Sequence, residues 1–261
     1  MRTPLSECRT HLRSADFLPF VRVYGAEHIT PDRNFLRIVL NNQPFDLKLT
    51  NVGGEDTPAY IAWLDTHPRD IDHPDVDPNL PRASAEERAQ LIVKMKSLYD
   101  CDLTTIITPA SSKSIPSIEE TVRIASDMLH THLELIILPG GKDKEQVAGE
   151  SMLPLVVYHN VTSPVEDKYI GITHDGYELL RKLNPKGDGM LMVDDVYTTG
   201  GTDDGMQTVI NRVLHLPEHT RQPLVVVATE SVYGLNYPKK PPEHVFSLIH
   251  LPEFIGGLPK V

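Results

Sequence analysis

The chain has 261 residues, 40% hydrophobic and 23% charged, the usage of an ordinary globular protein long enough to bury a large core. Its 25 basic and 36 acidic side chains give a formal net charge of −11, which speaks against sequence-independent nucleic-acid binding, because that rests on Lys and Arg neutralising phosphates. Two cysteines, Cys8 and Cys101, build neither a disulfide scaffold nor a cysteine-rich zinc site, no stretch approaches the ~20 apolar residues that span a bilayer, and residues 1–17 lack a signal peptide's apolar core, so a cytoplasmic protein with free thiols and no membrane partner is expected.

In chain order, Phe17 to Tyr24 and Phe35 to Leu40 read as short strands, bounded by turn residues that include Asn41-Asn42 and Gly53-Gly54. Phe45 to Leu49 alternates with period two, as a half-buried strand does. Trp63 reads as packing. Thr66 to Pro81 is crowded with prolines and aspartates. Proline fixes φ, removes a donor and pushes its predecessor out of the helical region, so an exposed connector is expected. Residues 1–83 are thus expected to form a β-rich extension or hood with its connector, and residues 84–261 an α/β core.

After the connector the period changes. Ser84-Ala85-Glu86-Glu87 has the pattern of a capping box, and Leu91, Ile92, Met95 and Leu98 follow at helical spacing. Leu103 to Thr108 is a β-branched run. Ser117-Ile118-Glu119-Glu120 is a second capping box, with Val122, Ala125, Met128 and Leu129 on one face. Leu133 to Leu138 reads as a buried strand closed by Pro139-Gly140-Gly141. Tyr177 to Leu183 is helical and stops at Asn184-Pro185. Met190 to Val193 is a strand, Met206, Val209, Ile210 and Val213 mark a helix, and Pro223 to Ala228 is read as the last strand. Strands alternating with helices predict an α/β fold, a parallel sheet covered by helices on both faces.

Ligands of such sheets bind beyond the carboxyl ends of the strands. One βα unit there stands out: Val193-Asp194-Asp195-Val196-Tyr197-Thr198-Thr199-Gly200-Gly201-Thr202. Gly200 and Gly201 let the backbone bend tightly and approach a ligand. Successive N–H groups at a helix start cradle an anion, and the hydroxyls of Thr198, Thr199 and Thr202 donate to phosphate oxygens. Asp194 and Asp195 only accept hydrogen bonds when ionised. Their natural partners are sugar hydroxyls or a hydrated Mg²⁺.

Residues Val193 to Thr202 resemble the 5-phosphoribosyl-1-pyrophosphate (PRPP) binding motif of type I phosphoribosyltransferases: a hydrophobic strand, two acids, two variable residues and a Thr/Gly-rich phosphate loop. The resemblance implies the fold of that family and a Mg²⁺-dependent transfer of 5-phosphoribosyl from PRPP to a nucleobase or base-like heterocycle, with release of pyrophosphate. It implies that Asp194 and Asp195 hold the ribose hydroxyls and, through water, the metal. Thr198, Thr199, Gly200, Gly201 and Thr202 would hold the 5′-phosphate.

A second loop, Thr108 to Pro116, follows a strand and leads to a helix. Lys113-Ser114-Ile115-Pro116 is similar to the Lys-Gly-Ile-Pro of orotate phosphoribosyltransferases, with Ser114 in place of glycine. By that likeness Ser112, Lys113 and Ser114 would bind pyrophosphate, Lys113 would stabilise the leaving group, and Ser112–Lys113 is the candidate for the family's cis peptide. Lys142 and Lys144, after Gly140-Gly141, are placed to add a cation to the same subsite, although a solvated charged turn reads equally well. The polar stretch to about Gly171 is the place of the family's mobile loop. His159 and His174 are further candidates, a lone loop histidine being more often incidental.

The base is less legible. The 6-oxopurine members carry an aspartate where this chain has Thr198, which counts against them and leaves adenine and orotate open. Thr198, Glu230 and Tyr233 are the base-site candidates. A homodimer is kept open. The competing reading is a PRPP-sensing protein without turnover. A PRPP synthetase-like kinase is disfavoured, since no ATP-binding unit is visible.

Overall fold

The computed structural model describes residues 22–23, 35–51, 60–63, 79–99, 102–110, 115–160, 163–187, 189–197, 200–230, 242 and 244–251. The first elements are β1 (Arg22–Val23), β2 (Phe35–Leu40), β3 (Gln43–Asn51) and β4 (Tyr60–Trp63). Strands β2, β3 and β4 form an antiparallel sheet. Asn41 and Asn42 join β2 to β3 with φ of 49° and 63°, the double left-handed step of a type I′ turn, which asparagine tolerates better than other side chains.

The two capping boxes do not cap. Helix α1 runs from Leu80 to Tyr99, so Ser84 lies one turn inside it. Helix α2 runs from Ile115 to Leu129, so Ser117 is internal as well. Each helix carries a proline, Pro81 or Pro116, at its second residue. Proline is pre-set for a first turn, where its missing N–H would have no partner, and this starts each helix early. Both serine hydroxyls instead accept hydrogen bonds from Arg88, at 2.9 Å for Ser84 and 2.7 Å for Ser117.

The remaining elements are β5 (Thr105–Pro109), β6 (Glu134–Leu138), β7 (Gly140–Gly141), α3 (Lys144–Glu150), β8 (Val156–Asn160), β9 (Ser163–Ile170), α4 (His174–Leu183), β10 (Met190–Tyr197), α5 (Gly201–Leu214), β11 (Leu224–Glu230) and β12 (Val245–Leu251). The six-stranded sheet has the order β1-β12-β11-β10-β5-β6, and every pairing in it is parallel. The α/β expectation holds. Two boundaries differ from the sequence reading. Strand β10 continues through the acid pair to Tyr197, and a further strand, β12, follows β11. A third small sheet, β7-β9-β8, is antiparallel.

Period-two alternation divides the core between the two faces of the sheet. Leu191 and Val193 of β10 lie in a cluster with Leu91, Ile92 and Met95 of α1 and Ile118, Val122 and Ala125 of α2. Met190 and Met192 lie in another with Met206, Val209, Ile210 and Val213 of α5. Each such buried side chain contributes about 1.5–3 kcal/mol relative to exposure, so the strand register follows this pattern. Ile38, Leu40 and Phe45 of the N-terminal sheet belong to the α1–α2 cluster.

This topology positions the site. From β5 the sheet grows through β6 in one direction, and from β10 through β11 and β12 in the other. The chain leaving β5 and the chain leaving β10 therefore diverge from neighbouring strands. Such a switch point opens a crevice at the carboxyl edge of a parallel sheet.

Candidate active site

Strand β10 delivers Asp194 and Asp195 to that edge. Asp194 is 7% exposed, and its Oδ1 accepts a hydrogen bond from the Asp195 amide at 2.9 Å. Burial, then the Asp195 charge and a hydrogen bond between the carboxyl groups, push the Asp194 carboxyl well above the usual carboxylate range, and Arg88 opposes the shift. A carboxylate in that condition gains from a cation or from hydroxyl donors. The pair fits a hydrated magnesium ion, which takes one or two carboxylates and keeps several waters.

Gly200 turns the chain into α5 with φ 78°, a left-handed conformation that costs glycine little. A Cβ there would meet the Tyr197 hydroxyl at 2.7 Å, so the tyrosine packs where only glycine fits. The N-cap of α5 is Gly200, which has no side chain to cap the first turn. The first-turn N–H groups and the helix dipole favour an anion in front of Gly201 and Thr202.

Tyr158 of β8 closes one side. Its half-buried hydroxyl shares a hydrogen bond with the Thr202 side chain and is held above its ordinary pKa, first by burial and then by the Asp194 charge. A Cβ at Gly205 of α5 would lie 3.1 Å from Ile170 Cγ2 and 3.4 Å from the Tyr158 ring, so this glycine gives room chiefly to Ile170 of β9. Lys168 pairs directly with Tyr158 across β8 and β9, so the two side chains share a face. Burial first, and then Lys142, lower the Lys168 pKa.

The predicted residues fall into three groups. Asp194, Asp195, Gly200, Gly201 and Thr202 come together at the end of β10 and the start of α5. Lys142 is exposed and ion-paired with Glu166, while Lys144, in the first turn of α3, lies 5.8 Å above the Tyr169 ring. His159 is exposed on β8, where Nδ1 lies 3.2 Å from the Glu166 carbonyl oxygen, and His174 is exposed at the start of α4. Glu230 ends β11, its backbone paired with Leu251. Ser112, Lys113, Ser114, Thr198, Thr199 and Tyr233 lie outside the described residues, as does the Ser112–Lys113 peptide. Among the described residues no group of three or more His, Cys, Asp or Glu is placed to hold a metal on its own, and no helix is long and apolar enough to cross a membrane.

Sequence reasoning missed Arg88, Tyr158 and Lys168. No motif or spacing singles out Arg88, yet its side chain is completely buried. Tyr158 stands 36 positions before Asp194 in the chain, and only the packing of the β8–β9 pair on α5 joins them.

No family model matches the chain, and no curated protein matches it. Among solved structures it is similar to the APRTase of Giardia lamblia complexed with 9-deazaadenine, at 14% identity, a TM-score of 0.46, and 78% of this chain and 93% of that one covered. It is also similar to the adenine phosphoribosyl transferase of Trypanosoma brucei in complex with AMP, pyrophosphate and ribose-5-phosphate, at 10% identity, a TM-score of 0.46 and coverage of 83% and 87%. The hypoxanthine phosphoribosyltransferase of Trypanosoma cruzi is similar at 12% identity, a TM-score of 0.40 and coverage of 65% and 76%.

Proposed function

We propose that the protein is a Mg²⁺-dependent phosphoribosyltransferase, which replaces the pyrophosphate of PRPP by a nitrogen of a nucleobase-like heterocycle. One observation carries the reading. At the switch point of the sheet, two adjoining carboxyl groups are followed within a few residues by a helix start that is entered through a left-handed glycine. The acids would accept hydrogen bonds from a sugar diol, and the helix start would receive a phosphate, the two groups that a ribose 5-phosphate carries.

The residues then divide the work. Asp194 and Asp195 orient the ribose and would hold magnesium through its waters. The metal would supply positive charge beside the leaving pyrophosphate. Gly200, Gly201 and Thr202 anchor the 5′-phosphate, with Thr198 and Thr199 assigned the same role. Lys113, with Ser112 and Ser114, and Lys142, Lys144 or Lys168 stabilise the departing charge. Tyr158 helps to exclude water from the reacting carbon, where an oxocarbenium-like centre would otherwise be hydrolysed. Catalysis here is mostly orientation and electrostatic stabilisation.

The test is a panel of bases, adenine and orotate first, mixed with PRPP and Mg²⁺ and scored by pyrophosphate release. Release with one base and none with the others supports the enzyme and names its acceptor. Binding of PRPP without release for any base identifies a sensor instead. No binding of PRPP overturns both.

A further inference from the structure

The side chain of Arg88, in the middle of α1, is the largest fully buried one among the described residues. A buried guanidinium is costly unless it is paired and its donors are satisfied. Only Nη2 has partners, the hydroxyls of Ser84 and Ser117. Nε and Nη1 have none. Burial lowers the Arg88 pKa to about 10, and the charges that oppose this are those of Asp195 and then Asp194. Strand alternation agrees: Asp195 continues the Leu191 and Val193 series, whose side chains lie in the cluster built by α1 and α2. Ser117 belongs to the opening of α2, the helix that the loop after β5 enters. Arg88 thus stands between the two halves of the crevice, bonded to one and attracted to the other. For stability alone, an apolar side chain of that volume would serve as well or better.

We propose that Arg88 is a positioning residue, which holds the start of α2 and the acid pair of β10 at the separation that a substrate bridging both loops requires. The inference rests on the proposed PRPP site. In that site PRPP spans both halves, whereas ribose 5-phosphate is held chiefly by the β10 half and inorganic pyrophosphate chiefly by the β5 half and the lysines beside it. A fixed separation therefore matters to PRPP and much less to its fragments, as for any ligand joined through two contacts.

The test is calorimetric binding of PRPP, ribose 5-phosphate and pyrophosphate, each with Mg²⁺, to the full chain and two variants, alongside thermal melts. Ser117→Ala cuts the link and keeps the charge. It is expected to weaken PRPP at least fivefold and each fragment less than twofold. Arg88→Met removes link and charge. It is expected to weaken PRPP at least tenfold, more than either fragment, without lowering the melting temperature. Arg88→Lys, which keeps the charge, should recover part of the PRPP affinity. If Arg88→Met does not fold, Ser117→Ala decides alone. Unchanged PRPP affinity in the variants, or fragments that weaken as much as PRPP, overturns the positioning role and leaves the proposed function standing. Failure of the unaltered protein to bind PRPP overturns both.

Discussion

Two groups of buried polar side chains lie on opposite faces of the main sheet, and they are built differently. On the α5 face, Asp203 Oδ2 stands 2.6 Å from His244 Nε2, and Oδ1 accepts from Gln207 Nε2 at 3.1 Å. Gln207 also clamps the Gln222 backbone, accepting from its N–H at 2.7 Å and donating to its carbonyl at 2.9 Å. Every polar atom of Asp203 and Gln207 side chains is used. On the α1 face, Arg88 leaves two nitrogens unpartnered, and the acid that strand alternation turns toward it is Asp195. The bonds of Asp203 and Gln207 pin α5 to the strands beneath it, although Asn211 Oδ1 of the same helix has no hydrogen-bond partner. A group left open costs stability, and such groups cluster where a ligand completes them.

Substitutions break the comparison in order of size. The double variant Asp194→Asn, Asp195→Asn should lose at least 100-fold in PRPP affinity by calorimetry, since two charge-assisted contacts of about 1.5–3 kcal/mol each disappear. It should not melt earlier than the parent. A melting temperature that falls with the affinity would show that the acids hold the fold rather than the ligand. Asp203→Ala should do the reverse. It leaves His244 and Gln207 without their partner and should cost about 2 kcal/mol, roughly 4–8 °C for a chain of this size, seen by scanning calorimetry.

Gly200→Ala comes next. A side chain at φ 78° costs about 1–2 kcal/mol and meets the Tyr197 hydroxyl, so affinity for PRPP should fall about tenfold in the same calorimetric assay. Wild-type affinity in this variant would remove the close phosphate approach from the account. The smallest effect is on pH dependence. Because the folded-state pKa of Asp194 is raised, the folded chain keeps a proton that the unfolded chain has already released. The group's contribution is complete below the unfolded pKa and is lost as pH rises through the folded one. Asp194→Asn should therefore stabilise the protein more at pH 8 than at pH 5 in urea unfolding. An equal effect at both values would mean that the carboxyl is not strained by burial.

Much of the fold was legible before any coordinates. Runs such as Leu133 to Leu138 and Pro223 to Ala228, alternating with helical stripes, point to a parallel sheet because strands covered on both faces read as nearly continuous apolar runs. The acid pair and the Thr/Gly loop were legible too, since their spacing is local and their chemistry belongs to residue types. Helix starts were misjudged, because Pro81 and Pro116 compete with the serine patterns and begin each helix earlier.

The sequence by itself determined the α/β class, the order of most elements and the loop that carries the candidate phosphate site, all of which depend on periodicity and near neighbours. Tertiary structure alone decided that two serines hold Arg88, that Tyr158 meets Thr202 and that Lys168 shares its face. Those contacts join residues brought together by packing α1 and α2 on one face of the sheet and β8–β9 on the other, and no periodicity along the chain encodes that placement.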